Sequence, residues 1–273
     1  MATKELNVTA IDFGYSAIRV SVFKESENEE EASLDIVQND LGNSFTPNIV
    51  AFDKSKVVIG EDAVLNKCDD ENVIFGIKKL IGRMNDEKLR EELKRLPFTV
   101  DVSNEKIKVI VSSECEKNVY SPEEITALMF SAVKNNVEPC LKTGEYPVAI
   151  SVPVNFRNSQ RQSMIDAANI SGINDVTLVN ETTAIASLHL WQQLKSDAHS
   201  SGNKNLLVVC IGAASTSISV MSCNNEGLEV KEHFGFEFGG NDIDTCFQSY
   251  VLNLFDEKSL TVVQKKDLLT QCQ

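Results

Sequence analysis

Apolar and polar residues alternate with a period of two in "NVTAIDFG", "AIRVSVFK" and "LDIVQND", which predicts three strands near the start of the chain. The acidic run "ESENEEEAS" between the last two reads as a solvated hairpin tip. "TPNIVAF" and "KVVIG" predict further short strands. The period lengthens in "ENVIFGIKKLIGR" and "DEKLREELKRL", which predict helices, and shortens again in the strand pair "PFTVDV" and "KIKVIVSS". "YSPEEITALMFSAVKNNV" carries the clearest helix start: Ser121 as cap, Pro122 at the first helical position, and Glu124 placed to bond back to the cap. Ile125, Leu128, Met129 and Ala132 are expected to form its core-facing stripe. A buried strand in "YPVAISVPVNF", a helix "NSQRQSMIDAANISG" stopping at Gly172, a strand "DVTLVN" and a helix "ETTAIASLHLWQQLK" follow. The small, polar "SDAHSSGNKN" marks a boundary between lobes. Beyond it lie the strand–turn–strand "VVCIGAASTSISV", the strand and turn "EGLEVKEHFGFEFGG", and a helix opening in "NDIDTCFQSYVLNLF". Strands and helices mixed in this order specify an α/β protein.

Two of these stretches repeat each other. In "AIDFGYSAIRVSVF" and "VVCIGAASTSISVM", Asp12 and Gly14 fall in the frame of Cys210 and Gly212, and "VSV" falls in the frame of "ISV". A strand–turn–strand unit used twice suggests a duplicated fold. Each turn can offer backbone N–H groups to a phosphate, with glycine allowing close approach. An acid at the strand end suits Mg²⁺ held through water.

Composition narrows the setting. With 42% hydrophobic residues the 273-residue chain can bury a substantial core. The net charge of −14 argues against a nucleic-acid surface, which needs clustered Lys and Arg, and favours solubility. Seven cysteines, at 68, 115, 140, 210, 223, 246 and 272, are odd in number and form no C-x-x-C pair, which points to free thiols in a reducing compartment. His189, His199 and His233 have no ligand-like spacing to any of them, which argues against zinc. No signal peptide or membrane span is expected, and the expected home is the cytosol, with the nucleus second.

"IDFG", "NDLGNSFTPNIVAF", "IKKLIGR", "SPEEI", "VPVNFRNSQRQ", "VNETTA" and "FGGNDID" occur in one order across nearly the whole chain. Together they resemble the nucleotide-binding domain of the heat-shock protein 70 chaperones, within the actin and hexokinase superfamily. The resemblance implies an actin-like ATPase fold of duplicated lobes. It implies a first lobe over 1–195, with 46–120 as its peripheral subdomain, and a partial second lobe over 204–273.

The resemblance also assigns roles. Asp12 is the carboxylate on the Mg²⁺ side, and Gly14, Tyr15 and Ser16 form the first phosphate loop. Lys78 reaches the transferred phosphate, where a positive charge stabilises developing negative charge. Glu181 orients the attacking water. Gly212, Ala213, Ala214 and Ser215 form the second phosphate loop, and Gly239 and Gly240 lie near the nucleotide. The same residues admit plainer readings: Asp12 as a turn acid, Lys78 as a surface lysine, Glu181 as a helix-start acid favoured by the dipole.

The chain departs from the family pattern at several of these places. Tyr15 and Ser16 replace two threonines, and Cys210 replaces the second acid. Ala213 and Ala214 replace glycines, which is expected to strain a left-handed turn by roughly 1–2 kcal/mol and to crowd a phosphate. Cys210 is expected to become a small core residue. Thr182 replaces a proline that, with Pro153 and Arg161, relays nucleotide state in the family. The chain stops at Gln273, before the adenosine-binding segment and the client-binding domain of the family. An incomplete lobe is expected to leave strand edges and apolar faces uncovered. The resulting expectation is a chaperone-related, stress-response binding module, a pseudoenzyme that takes ATP or ADP with Mg²⁺ but hydrolyses ATP poorly. Its expected partners are J-domain proteins and nucleotide-exchange factors, not nucleic acid or membrane. The alternative is an active ATP-dependent folding chaperone.

Overall fold

A computed structural model describes residues 7–24, 33–53, 56–65, 68–94, 96–104, 106–112, 117–141, 146–195, 204–224 and 227–254. The acidic run at 25–32, the boundary segment at 196–203, Cys115, His199 and Cys272 lie outside them. The chain divides into two compact units, Met1–Val152 with Phe156–Ala184, and Pro153–Asn155 with Ile185–Gln273.

The first unit opens with β1 (Asn7–Phe13), β2 (Ala17–Lys24), β3 (Ser33–Ile36), β4 (Thr46–Pro47), β5 (Ile49–Asp53), β6 (Lys56–Ile59) and a short α1 (Glu61–Leu65). It continues through β7 (Val73–Phe75), α2 (Glu87–Leu93), β8 (Thr99–Asp101), β9 (Lys108–Ser112), β10 (Lys117–Tyr120) and α3 (Pro122–Val137). It closes with β11 (Val148–Val152), α4 (Asn158–Ile170), β12 (Val176–Asn180) and the start of α5 (Glu181–Lys195). Its main sheet runs in the order β12-β11-β1-β2-β3, with β4 attached to β2. β1, β11 and β12 are parallel, and β1–β2 is an antiparallel hairpin.

Alternation sets which face of this sheet is buried. Ile11 and Phe13 of β1 and Ile18, Val20 and Val22 of β2 enter the core, while Asp12 and Arg19 face solvent. Phe130 of α3 lies 5.2 Å from Phe13 between ring centroids, and Met164 and Ala167 of α4 join the same cluster. Each such large side chain stabilises the fold by roughly 1.5–3 kcal/mol through burial. α3 begins as its sequence predicts. The backbone N–H of Ser121 donates to Glu124 Oε2 at 2.7 Å, and the Glu124 N–H donates to Ser121 Oγ at 3.2 Å. Its core stripe is rotated from the expected one: Thr126, Phe130 and Val133 are buried with Ile125 and Met129, while Leu128 and Ala132 are half-buried.

"ENVIFGIKKLIGR" is not a helix. Its first two residues close a 3-10 turn over Asp70–Asn72, β7 follows, and a second 3-10 turn spans Ile77–Lys79, begun by Gly76 at φ +64°. The apolar spacing was set by burial of Ile77, Leu80 and Ile81 around one turn, a pattern short enough to imitate helical periodicity.

The second unit takes α5 onward into β13 (Lys204–Ile211), β14 (Thr216–Asn224), β15 (Gly227–Phe236) and α6 (Gly240–Leu254). β13-β14-β15 is an antiparallel meander. Its first hairpin has the register of β1–β2: Asp12 faces Arg19 as Cys210 faces Ser217, and Phe13 faces Ile18 as Ile211 faces Thr216. The burial is opposite. Val208 and Met221 form a small core with Ala186, whereas Leu207, Val209 and Ile211, with Phe234 and Phe236 of β15, are exposed. Ile243, Phe247, Tyr250 and Leu254 form an exposed stripe along α6. Among the described residues no helix is long and apolar enough to cross a membrane.

Candidate functional site

In open sheets the carboxyl ends of parallel strands are where ligands gather. Here β1 ends at Asp12 and Phe13, β11 at Ser151 and Val152, and β12 at Asn180, with Val152 paired to Asn180. Asp12 Oδ1 accepts a hydrogen bond from Ser151 Oγ at 2.9 Å, and Asp12 Oδ2 lies 4.0 Å from Arg19. Both side chains of that ion pair are more than half exposed, so it contributes little.

The Gly14–Ser16 loop is fastened from one side by Asn48. Asn48 is buried, donates from Nδ2 to Gly14 O at 2.7 Å, and donates its backbone N–H to Ser16 O at 2.8 Å. Gly14 is required by space, not by handedness: a Cβ there would stand 2.4 Å from Ala17 O. Asn48 was not singled out in the sequence, although a polar residue directly before the apolar "IVAF" is a visible anomaly.

Lys78 and Glu181, distant in sequence, meet directly. Lys78 Nζ donates to Glu181 Oε1 at 3.0 Å, and the two side chains are only 9% and 14% exposed. The 3-10 turn delivers Lys78, and the first position of α5 delivers Glu181. Arg161 of α4 steadies the residue before Glu181: its Nη2 donates to Asn180 Oδ1 at 2.7 Å and its Nε to Phe156 O at 3.1 Å. Burial holds the Arg161 guanidinium below its usual range. Thr182, next in the chain, is buried.

The ring of Tyr15 lies on Gly76, where a Cβ would fall 2.6 Å from the Tyr15 hydroxyl, and Lys79 Nζ stands 5.6 Å from its centroid.

In the second unit, Gly212 and Ala213 meet Gly239 and Gly240. The Gly212 N–H donates to Ser215 O at 2.8 Å, the Gly240 N–H to Gly212 O at 3.0 Å, and the Asn241 N–H to Ala213 O at 2.8 Å. Asp242 Oδ2 accepts from the Gly239 N–H at 2.9 Å. A Cβ on Gly239 would lie 2.4 Å from Gly212 O. The φ of Gly212 lies outside the left-handed region, so the turn does not draw on the freedom expected of that glycine. Ala214 is buried. Cys210 is half-buried rather than a core residue: it follows Val208 on one face of β13 but lies outside the small cluster of Ala186, Val208 and Met221.

In the first unit Asp12 supplies an exposed hard oxygen of the kind Mg²⁺ takes through water. In the second unit the thiol of Cys210 is a poor match for that ion.

Comparison with known proteins agrees with the resemblance. The family model described as Hsp70 protein matches residues 8–272. A heat shock 70 kDa protein of Neurospora crassa is 32% identical over 267 residues, covering 96% of this chain and 39% of that protein. The "Putative heat shock 70 kDa protein 7" of Homo sapiens is 32% identical over 260 residues, covering 94% of this chain and 68% of that protein. The chain therefore spans about two fifths of the length of the fungal relative.

Proposed function

Because the chain belongs to the Hsp70 family and corresponds to its nucleotide-binding domain, we propose that it binds ATP and ADP chiefly through the first loop and hydrolyses ATP weakly or not at all. On this reading it serves as a chaperone-related binding module for J-domain proteins and nucleotide-exchange factors. Among the described residues no disulfide joins the cysteines, which suits the reducing cytosol.

The observation that carries the reading is the contrast between two hairpins of one register, with Asp12 at the strand end of the first and Cys210 at the strand end of the second. The Gly14–Ser16 backbone would receive phosphate oxygens, and Asp12 would hold Mg²⁺ through water. Mg²⁺, when bound, supplies charge neutralisation at the phosphate oxygens. Lys78 would add a positive charge beside the transferred group, and Glu181 would orient water. Phosphoryl transfer rests on positioning and charge, and a thiol in place of the second carboxylate weakens both.

Calorimetric titration of the folded chain with ATP, with and without Mg²⁺, tests this together with phosphate release. The expected result is ATP binding with little gain from Mg²⁺ and slow release, and Cys210→Asp should restore Mg²⁺ dependence. Absence of binding by a cooperatively melting chain would overturn the reading. The competing reading is a working ATPase of the folding cycle, favoured by the assembled Lys78–Glu181 pair; brisk Mg²⁺-dependent release by the unaltered chain would establish it.

A further inference from the structure

The turn that carries Lys78 is bounded by two glycines, and each is pressed by another part of the first unit. Gly82, at φ +57°, has the backbone of Gln160 where its Cβ would be, at 2.5 Å from the Gln160 Cα. Ser159 Oγ donates to Gly82 O at 2.8 Å. That end is therefore held by the start of α4. Gly76, at φ +64°, has the Tyr15 ring in the corresponding place: its three nearest atoms are the hydroxyl, Cε2 and Cζ of Tyr15, at 2.6–2.7 Å from a built Cβ. Lys79 extends its ammonium over the same ring at 5.6 Å, and this cation–π attraction adds a second hold on the turn. Between the two holds sits Lys78, buried and bonded to Glu181.

We propose that Tyr15 is a positioning residue for Lys78: its ring fastens the Gly76 end of the turn to the Gly14–Ser16 loop, so that Lys78 and Glu181 are already paired before a phosphate arrives. The inference deepens the nucleotide-binding reading and rests on it for its purpose, though the contact itself does not depend on any ligand. The ring meets Gly76 with its hydroxyl end and adjoining carbons and Lys79 with its face. Phenylalanine keeps the ring and should retain most of the hold, and a small residue should not.

The test is the rate at which each lysine is acetylated by a limiting amine-reactive ester, read residue by residue by mass spectrometry on the full chain, beside ATP titration. In Tyr15→Ala the Lys78 rate should rise about fivefold or more through local opening, while Lys108 and Lys134 keep their rates. Tyr15→Phe should stay much closer to the unaltered chain than to Tyr15→Ala. ATP affinity of Tyr15→Ala should fall about tenfold, as expected when a charged group loses its preset place. Unchanged labelling of Lys78 in Tyr15→Ala would overturn the proposal. So would a uniform rise at all lysines, which would make the ring a general core residue. If the unaltered chain binds no ATP yet Lys78 responds as stated, the nucleotide reading falls and the positioning role stands. If ATP binds and Lys78 is indifferent to Tyr15, the reverse holds.

Discussion

Lys78 Nζ and Glu181 Oε1 lie 3.0 Å apart with both side chains largely withdrawn from water. A pair taken out of water in this way gains little net stability, yet removing one member leaves the other charge in a poor solvent. Lys78→Met is expected to destabilise the first unit by about 3 kcal/mol. Glu181→Gln removes the counter-charge but keeps an acceptor for the lysine, and should cost less, about 2 kcal/mol. Lys78→Met with Glu181→Gln should cost less than the two single losses added together. Denaturant melts of the four chains decide this, and strict additivity would show that the two groups do not interact.

Gly76→Ala should be costly for two separable reasons. A left-handed φ of +64° costs alanine about 1–2 kcal/mol. The new methyl group would also meet the Tyr15 ring at 2.6 Å. In a Tyr15→Ala background only the first cost remains, so the same substitution should be milder there by about 1 kcal/mol. Equal costs in the two backgrounds would remove the ring from the argument.

Gly239→Ala should loosen the start of α6. Its Cβ would stand 2.4 Å from Gly212 O and 2.6 Å from the Ala213 carbonyl carbon, and backbone atoms cannot swing aside as a flexible side chain does. The bonds from Gly240 to Gly212 O and from Asn241 to Ala213 O should lengthen or break. Hydrogen exchange at those two amides should accelerate by about tenfold or more. Protection equal to that of the unaltered chain would show that the turn has room to adjust.

Cysteine reactivity follows burial and charge. Burial, and then the negative charges of Asp53 and Asp69, raise the Cys68 thiol above its ordinary range, with Lys56 opposing. A raised value means less thiolate at a given pH, so Cys68 should alkylate more slowly at pH 8 than the exposed Cys140 and Cys246. Peptide mapping after brief iodoacetamide treatment gives the order, and early labelling of Cys68 would contradict it.

Local signals in the sequence were legible wherever one residue satisfies one backbone need. Ser121 with Glu124, and Gly172 at φ +80° after α4, marked their helix ends because capping and left-handed backbone are solved within a few residues. The duplicated hairpin was legible because register follows from turn length, and the two turns match. Distant pairings were not legible from spacing. Nothing in the local pattern joins Tyr15 to Gly76 or Asn48 to Gly14, and the meeting of Lys78 with Glu181 entered only as an implication of family resemblance. The Ile77–Ile81 stretch misled because one buried turn repeats the first steps of a helix. Cys210 misled because residue type alone suggests an interior position, while the small core of Ala186, Val208 and Met221 does not include it.

The two hairpins bury opposite faces, and this bears on how the molecule behaves in bulk solution. The Ile11 and Phe13 side of the first is sealed in the core with α3 and α4, whereas Val209 and Ile211 leave an oily plate on the second, extended by Phe234 and Phe236. A net charge of −14 keeps neighbouring molecules apart at low ionic strength. At about 1 M salt the screening length shrinks to roughly 3 Å, and that repulsion no longer reaches across a gap between molecules. Light scattering should therefore grow with added salt as the plates find each other. The colloid would be held dispersed by its charge and clumped by one side of a three-stranded sheet.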